Sequence, residues 1–152
     1  MKLTTSLLIG TIFLWSGCAT VTNYSQLKQI PSDGKITVLP FQNNTNTPLA
    51  GKKAKNIMEG VLTSKNHSVN ISASNTPCTI NNINTRYYLS GTINEWRYKT
   101  GIEAEPAVAM NFNVVDKLNG NIVYSAVGAK NGWGQESIGS VAQKLILELT
   151  NN

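Results

Sequence analysis

Histidine and cysteine are almost missing from this 152-residue chain, which holds one histidine, His67, and two cysteines, Cys18 and Cys78. A metal site needs clustered His, Cys, Asp or Glu, so no metal is expected. Carboxylates are also few, 8 against 13 Lys and Arg, for a formal net charge of +5. That surplus is small and no basic run is interleaved with aromatics, so nucleic acid is not expected as a partner. The chain has no Gly-x-Ser-x-Gly, no glycine-rich phosphate loop and no dinucleotide fingerprint. Glu95, Glu103, Glu105 and Asp116 could supply paired carboxylates, but no motif frames them. Neither catalysis nor a cofactor is expected.

The one long apolar stretch stands at the start, MKLTTSLLIGTIFLWSGC. Lys2 supplies the positive charge, Leu7 to Trp15 is apolar apart from Gly10 and Thr11, and Ser16 and Gly17 lead to Cys18. Residues 1–17 therefore read as a secretory signal, too short to span a bilayer permanently. A cysteine directly after a small pair resembles the lipobox of bacterial lipoproteins, with Trp15 where leucine is usual and Leu14 beside it. That likeness implies a diacylglyceryl group on Cys18, which becomes the first mature residue. Without the first 17 of its 152 residues the chain keeps 135 and a charge of +4, enough for one domain with a real core. Cys78 is then the only free thiol, so no intramolecular disulfide can form. Polar, unpatterned residues up to position 32 read as an acylated tether over 18–32, followed by one domain over 33–152.

Lys35 to Phe41 is β-rich and stops at Pro40, which predicts a short buried strand, with a loop over Asn43 to Thr47. Pro48 to about Ser64 predicts a helix, because Ala54, Ile57, Met58, Val61 and Leu62 make one apolar stripe. Lys52, Lys53 and Lys55 fall largely on its solvated side. His67 to Ser72 reads as a second short strand, Arg86 to Lys99 as a long one, and Ala107 to Asp116 as a cleanly alternating one. Asn119-Gly120 is a hairpin signal leading into a strand over Ile122 to Lys130. Ser137 caps a last helix to Leu149, with Ile138, Val141, Ala142, Leu145 and Leu149 apolar. The predicted class is α+β, a mixed, largely antiparallel sheet of about five strands with two helices, in the order β-α-β-β-β-β-α.

Trp96 and Tyr98 share a strand face opposite Glu95, Arg97 and Lys99, which makes Trp96, Arg97 and Tyr98 candidates for a subunit contact or for core beneath a helix. Trp133, between Gly132 and Gly134, either packs on the last helix or stands out for a membrane or protein contact. Four of the eight carboxylates fall between positions 95 and 116, where they either pair with Arg97, Lys99 and Lys117 or set up a local negative field.

SGTINEWRYKTGIEAEPAV over 90–108, GNIVYSAVGAKNGWGQES over 120–137 and IGSVAQKLI after it resemble the PelC family, lipoproteins of Pel exopolysaccharide export. ITVLPFQNNTNTPLAGKKAKNIMEGVL over 36–62 is similar to the first strand and helix shared with the LpoB and CsgG-like group. The resemblance implies an outer-membrane lipoprotein on the periplasmic face that closes into a homo-oligomeric ring beside a PelB-like porin, without enzymatic activity. It implies an acidic surface guiding a cationic polysaccharide, with Glu103, Glu105 and Asp116 as candidates, and a membrane contact, with Trp133 as candidate. Ala19 after Cys18, rather than Asp, is similar to lipoproteins sent to the outer membrane. The rival readings are an LpoB-like activator of a periplasmic cell-wall synthase and an assembly lipoprotein of another secretion system. The tether lacks the proline-rich length that such an activator needs to reach across the periplasm.

Overall fold

The computed structural model describes residues 19–23, 29–71, 82–98 and 105–151. Along the chain come β1 (Ala19–Asn23), β2 (Ile36–Val38), β3 (Gln42–Asn43), α1 (Ala50–Ser64), β4 (Tyr87–Arg97), β5 (Ala107–Asp116), β6 (Ile122–Asn131) and α2 (Ile138–Leu149). One sheet takes the order β1-β6-β5-β4-β2, with β3 also pairing β4. β1, β6, β5 and β4 are antiparallel neighbours, whereas β2 and β3 lie parallel to β4. The α+β class with two helices and a largely antiparallel sheet is borne out.

Alternation dictates which face carries the core. Met110, Phe112 and Val114 of β5 are buried toward the helices, while Asn111 and Asn113 on the opposite face are half-buried. The helices close that face with Ala54, Met58 and Leu62 from α1 and Val141, Ala142, Leu145, Ile146 and Leu149 from α2. Side chains buried this deeply stabilise the fold by about 1.5–3 kcal/mol each. Tyr124 brings a polar group into this layer and satisfies it, its hydroxyl donating to the Leu149 carbonyl at 2.6 Å. Both predicted helical stripes are buried, except that Ile57 is half-buried. Ser137 does cap α2, its Oγ accepting the Ser140 N–H at 3.1 Å.

One irregularity in β4 decides which aromatic joins the core. The ladder with β5 shifts between Ile93 and Glu95, so Ile93 faces Met110 and Trp96 faces Val108. Strict alternation from Ile93 would turn Glu95 inward. The extra residue puts Trp96, 3% exposed, there instead and leaves Glu95 paired with Arg97 at 3.0 Å.

Three short segments differ from the sequence reading. Ala19 to Asn23, read as tether, forms β1 along the outer side of β6, because this β-branched stretch finds an open strand edge. The strand predicted over 35–41 ends at Val38, since Pro40 has no N–H to give a ladder, and pairing resumes in β3, which reaches the first residue of the predicted loop, Asn43. The strand predicted over His67 to Ser72 reduces to one bridge between Val69 and Ile36, because the three-residue β2 offers nothing longer to pair with. Ser72 itself, Cys18, Cys78 and Glu103 lie outside the described residues.

Candidate functional site

Strand direction gathers most of the candidate residues at one end of the sheet. β4 ends there at Arg97, just before Tyr98, β5 begins there after Glu105 and Pro106, and β6 ends there before Gly132 and Trp133. The Gly132 N–H donates to the Pro106 carbonyl at 2.7 Å, tying the Trp133 loop to the start of β5. β1 begins at the same end, with Ala19 opposite Lys130. Cys18 is one peptide bond before Ala19, so the predicted lipid attachment is covalently linked to this end.

Both helices start there as well. Thr47 Oγ1, just before α1, donates to the Trp96 carbonyl at 2.7 Å, and Lys53 Nζ in its first turn donates to the Tyr98 hydroxyl at 2.7 Å. α2 follows directly on the Trp133 loop. At the opposite end Lys65, which follows α1, bonds the Leu147 carbonyl at 3.3 Å and Asn151 Oδ1 at 2.7 Å, beside the end of α2. The helices therefore run side by side with their positive N-terminal ends on the Trp133 side.

The Trp133 loop is built to hold its indole outward. A Cβ on Gly132 would sit 2.6 Å from Val141 Cγ2 and 2.7 Å from Pro106 Cγ, so only glycine lets the chain pass between α2 and β5. Gly134, at φ 57°, turns the chain back by a backbone conformation that other residues rarely adopt. Glu136 fastens the loop: its carboxylate accepts the Trp133 N–H at 3.0 Å, and its own N–H donates to the Trp133 carbonyl at 3.1 Å. Lys144 is hydrogen-bonded to the same carboxylate. These two donors, Lys144 first and the Trp133 N–H second, hold the Glu136 carboxyl below the usual carboxylate range. Trp133 is 67% exposed, so of the two placements the sequence left open, the outward one is found.

The remaining candidates separate. Glu105 is half-buried at the Trp133 end. Asp116 does not join it: it closes the other end of β5, about 30 Å away along ten residues of strand. There Asp116 is buried, ion-paired with Arg86 at 3.3 Å and accepting the Leu118 N–H at 2.9 Å. Arg86 also pairs with Asp33 at 2.6 Å, and the Tyr87 hydroxyl donates to Asp33 at 2.9 Å, which fastens the segment before β2 to β4. Of the three candidates for subunit contact, Trp96 is spent in its own core, while Arg97 and Tyr98 are exposed. The Tyr98 hydroxyl is held below the usual tyrosine range, chiefly by the hydrogen bond from Lys53.

Sequence reasoning missed Leu49, Thr47 and Glu136 at this end. Leu49 is 65% exposed at the start of α1, a position where a capping side chain is the usual signal. Elsewhere, a cleft of about 330 Å³ between the helices is lined, among the described residues, by Ile57, Gly60, Val61, Ser64 and Gln143, none of them ionisable. Among the described residues no three His, Cys, Asp or Glu side chains cluster as a metal site, and no helix is long and apolar enough to cross a membrane.

No protein-family model and no curated protein matches the chain. Solved structures do. The chain is similar to the PelC dodecamer from Paraburkholderia phytofirmans, at 35% identity and a TM-score of 0.75 over 87% of this chain and 94% of that one. A point variant of the same dodecamer in another crystal form gives 36% identity and a TM-score of 0.72 with the same coverage. Lipoprotein GNA1162 from Neisseria meningitidis shares the fold, at 15% identity and a TM-score of 0.56 over 78% of this chain and 99% of that one. At this identity and coverage, the chain belongs to the PelC family.

Proposed function

We propose that this chain is anchored through acylated Cys18 in the outer membrane, on its periplasmic face, and assembles there into a closed homo-oligomeric ring. The ring assists export of a cationic exopolysaccharide through a PelB-like porin, and its work is assembly and electrostatic guidance, with no bond made or broken. The observation that carries this reading is the likeness to dodecameric PelC, which extends over 87% of the chain. The layout of the sheet end supports it. The chain leading from Cys18 enters beside Lys130, three residues before an outward Trp133, so anchor and indole meet one membrane surface. Trp133 is the side chain proposed to reach the bilayer interface, where an amphipathic ring is stable.

Glu105 at that end, with Glu103 two residues earlier, is the proposed acidic guide for a cationic chain. Asp116 contributes less to it, its charge being balanced by Arg86. Arg97 at the end of β4 and Tyr98 just after it are the candidates left for a neighbouring subunit. The domain begins pairing at Ala19, so almost no tether separates it from the anchor, which favours this reading over a far-reaching synthase activator.

Complementation in cells lacking the native copy tests the proposal. Cys18→Ser should move the protein out of the membrane fraction. Glu103→Lys combined with Glu105→Lys should leave it membrane-bound and lower exported polysaccharide severalfold. Unchanged export in the charge-reversed cells contradicts the guidance role.

A further inference from the structure

Among the described residues the fold does not call for a leucine at position 49. Its apolar side chain is 65% exposed, and its backbone lies at φ 62°, which bulky side chains rarely adopt. Glycine or asparagine would start α1 from this conformation with less strain, so local stability does not account for a leucine.

Its surroundings are basic. Lys52 and Lys53 follow in the first helical turn, both exposed, and among the described residues no carboxylate pairs with either. Lys53 is steadied by a neutral partner, the Tyr98 hydroxyl, and stands 5.5 Å from that ring's centroid, so its charge is placed but not cancelled. The first turn of α1 has no acidic residue, and no side chain caps it, so the positive end of the helix adds to the two lysines.

We infer that Leu49, Lys52 and Lys53 form a second membrane-docking point, where Leu49 enters the headgroup layer and the lysines hold phosphates of anionic phospholipid. The inference rests on the reading that this sheet end faces the membrane through Cys18 and Trp133. The occupant follows from where the chain leads. Ala19 starts β1 opposite Lys130, so the segment that carries the anchor leaves at the end where α1 begins. An apolar side chain beside uncompensated lysines is the chemistry that binds an anionic bilayer interface. With Trp133 beside α2 and Leu49 before α1, each helix start offers one apolar side chain to the same surface. Two contacts fix the tilt of the domain on the membrane, where one contact leaves it free to rock.

The test uses the acylated mature protein in vesicles whose phospholipids carry brominated acyl chains, made of phosphatidylethanolamine alone or with phosphatidylglycerol. Bromine quenches an indole that reaches it, and buried Trp96 supplies a constant background. Native Trp133 reports the orientation of the sheet end. Leu49→Trp in a Trp133→Phe background reports the new contact. Emission at position 49 should be lost in both vesicles and more strongly with phosphatidylglycerol, and Lys52→Gln with Lys53→Gln should abolish that lipid preference. Quenching at Trp133 without quenching at position 49 overturns the inference and leaves the orientation standing. Quenching at neither overturns both. An emission at position 49 that is blue-shifted in detergent and indifferent to lipid assigns Leu49 to a neighbouring subunit and overturns the inference.

Discussion

Ala19 lies opposite Lys130 in the β1–β6 ladder, which puts the first described residue of the chain three positions from the level of Trp133. The lipid proposed for the preceding residue and the indole on the neighbouring loop would thereby share one end of a rigid sheet. A flexible tether would have left their relative position open, but a strand fixes it.

The Trp133 loop should respond to acid. The Glu136 carboxyl titrates below the usual range because Lys144 and the Trp133 N–H both favour its charged form. A depressed carboxyl contributes stability above its unfolded pKa and loses that contribution as pH falls through its folded pKa. The Trp133 amide should therefore be protected from hydrogen exchange at neutral pH and lose protection below the ordinary carboxylate range. Glu136→Gln should remove that pH dependence and leave the loop faster-exchanging throughout. Equal protection of the amide in native and variant protein would contradict the clasp.

Gly91 faces a packed wall. A Cβ there would lie 2.4 Å from the Phe41 ring and 2.6 Å from the Asn111 carbonyl oxygen, and the second neighbour is backbone that cannot swing aside. Gly91→Ala should cost about 1–3 kcal/mol, as overpacking of a well-filled core does. Denaturant unfolding measures it, with a lowered midpoint and an unchanged slope expected.

Arg86 should matter more than an exposed arginine usually does. It balances Asp116, which is buried, and holds Asp33 at 2.6 Å before β2. Arg86→Ala leaves the Asp116 charge short of its partner, and a lowered denaturation midpoint is expected. An additional Asp116→Asn should return part of that loss, because it removes the stranded charge. If the double variant is less stable by the full sum of the two single losses, the pairing carries no coupling energy.

How much of this was legible follows the physics of each signal. Helices α1 and α2 were readable because their stripes repeat with the turn, and β5 because Val108, Met110, Phe112 and Val114 alternate without interruption. β4 was readable as a strand but not in its facing. Whether Trp96 points in or out depends on one extra residue between Ile93 and Glu95, and no local preference announces it. β1 was hidden for a different reason. Ala-Thr-Val-Thr-Asn is a plausible strand only once β6 offers it an edge, and that edge is made by residues more than a hundred positions away. Glu136 gave no signal because one of its partners is a backbone N–H in a loop whose shape depends on the two flanking glycines, and the other, Lys144, lies eight residues on. Glu105 and Asp116 were grouped by sequence nearness, but a strand runs between them and carries them to opposite ends.

If the chain works as a closed ring, its mass in mild detergent reveals it. Acylated protein extracted from membranes and weighed by native mass spectrometry should give one closed oligomer of fixed subunit number, a dodecamer on the pattern of its relatives. A monomer at micromolar concentration that also stays single after return to lipid would contradict it.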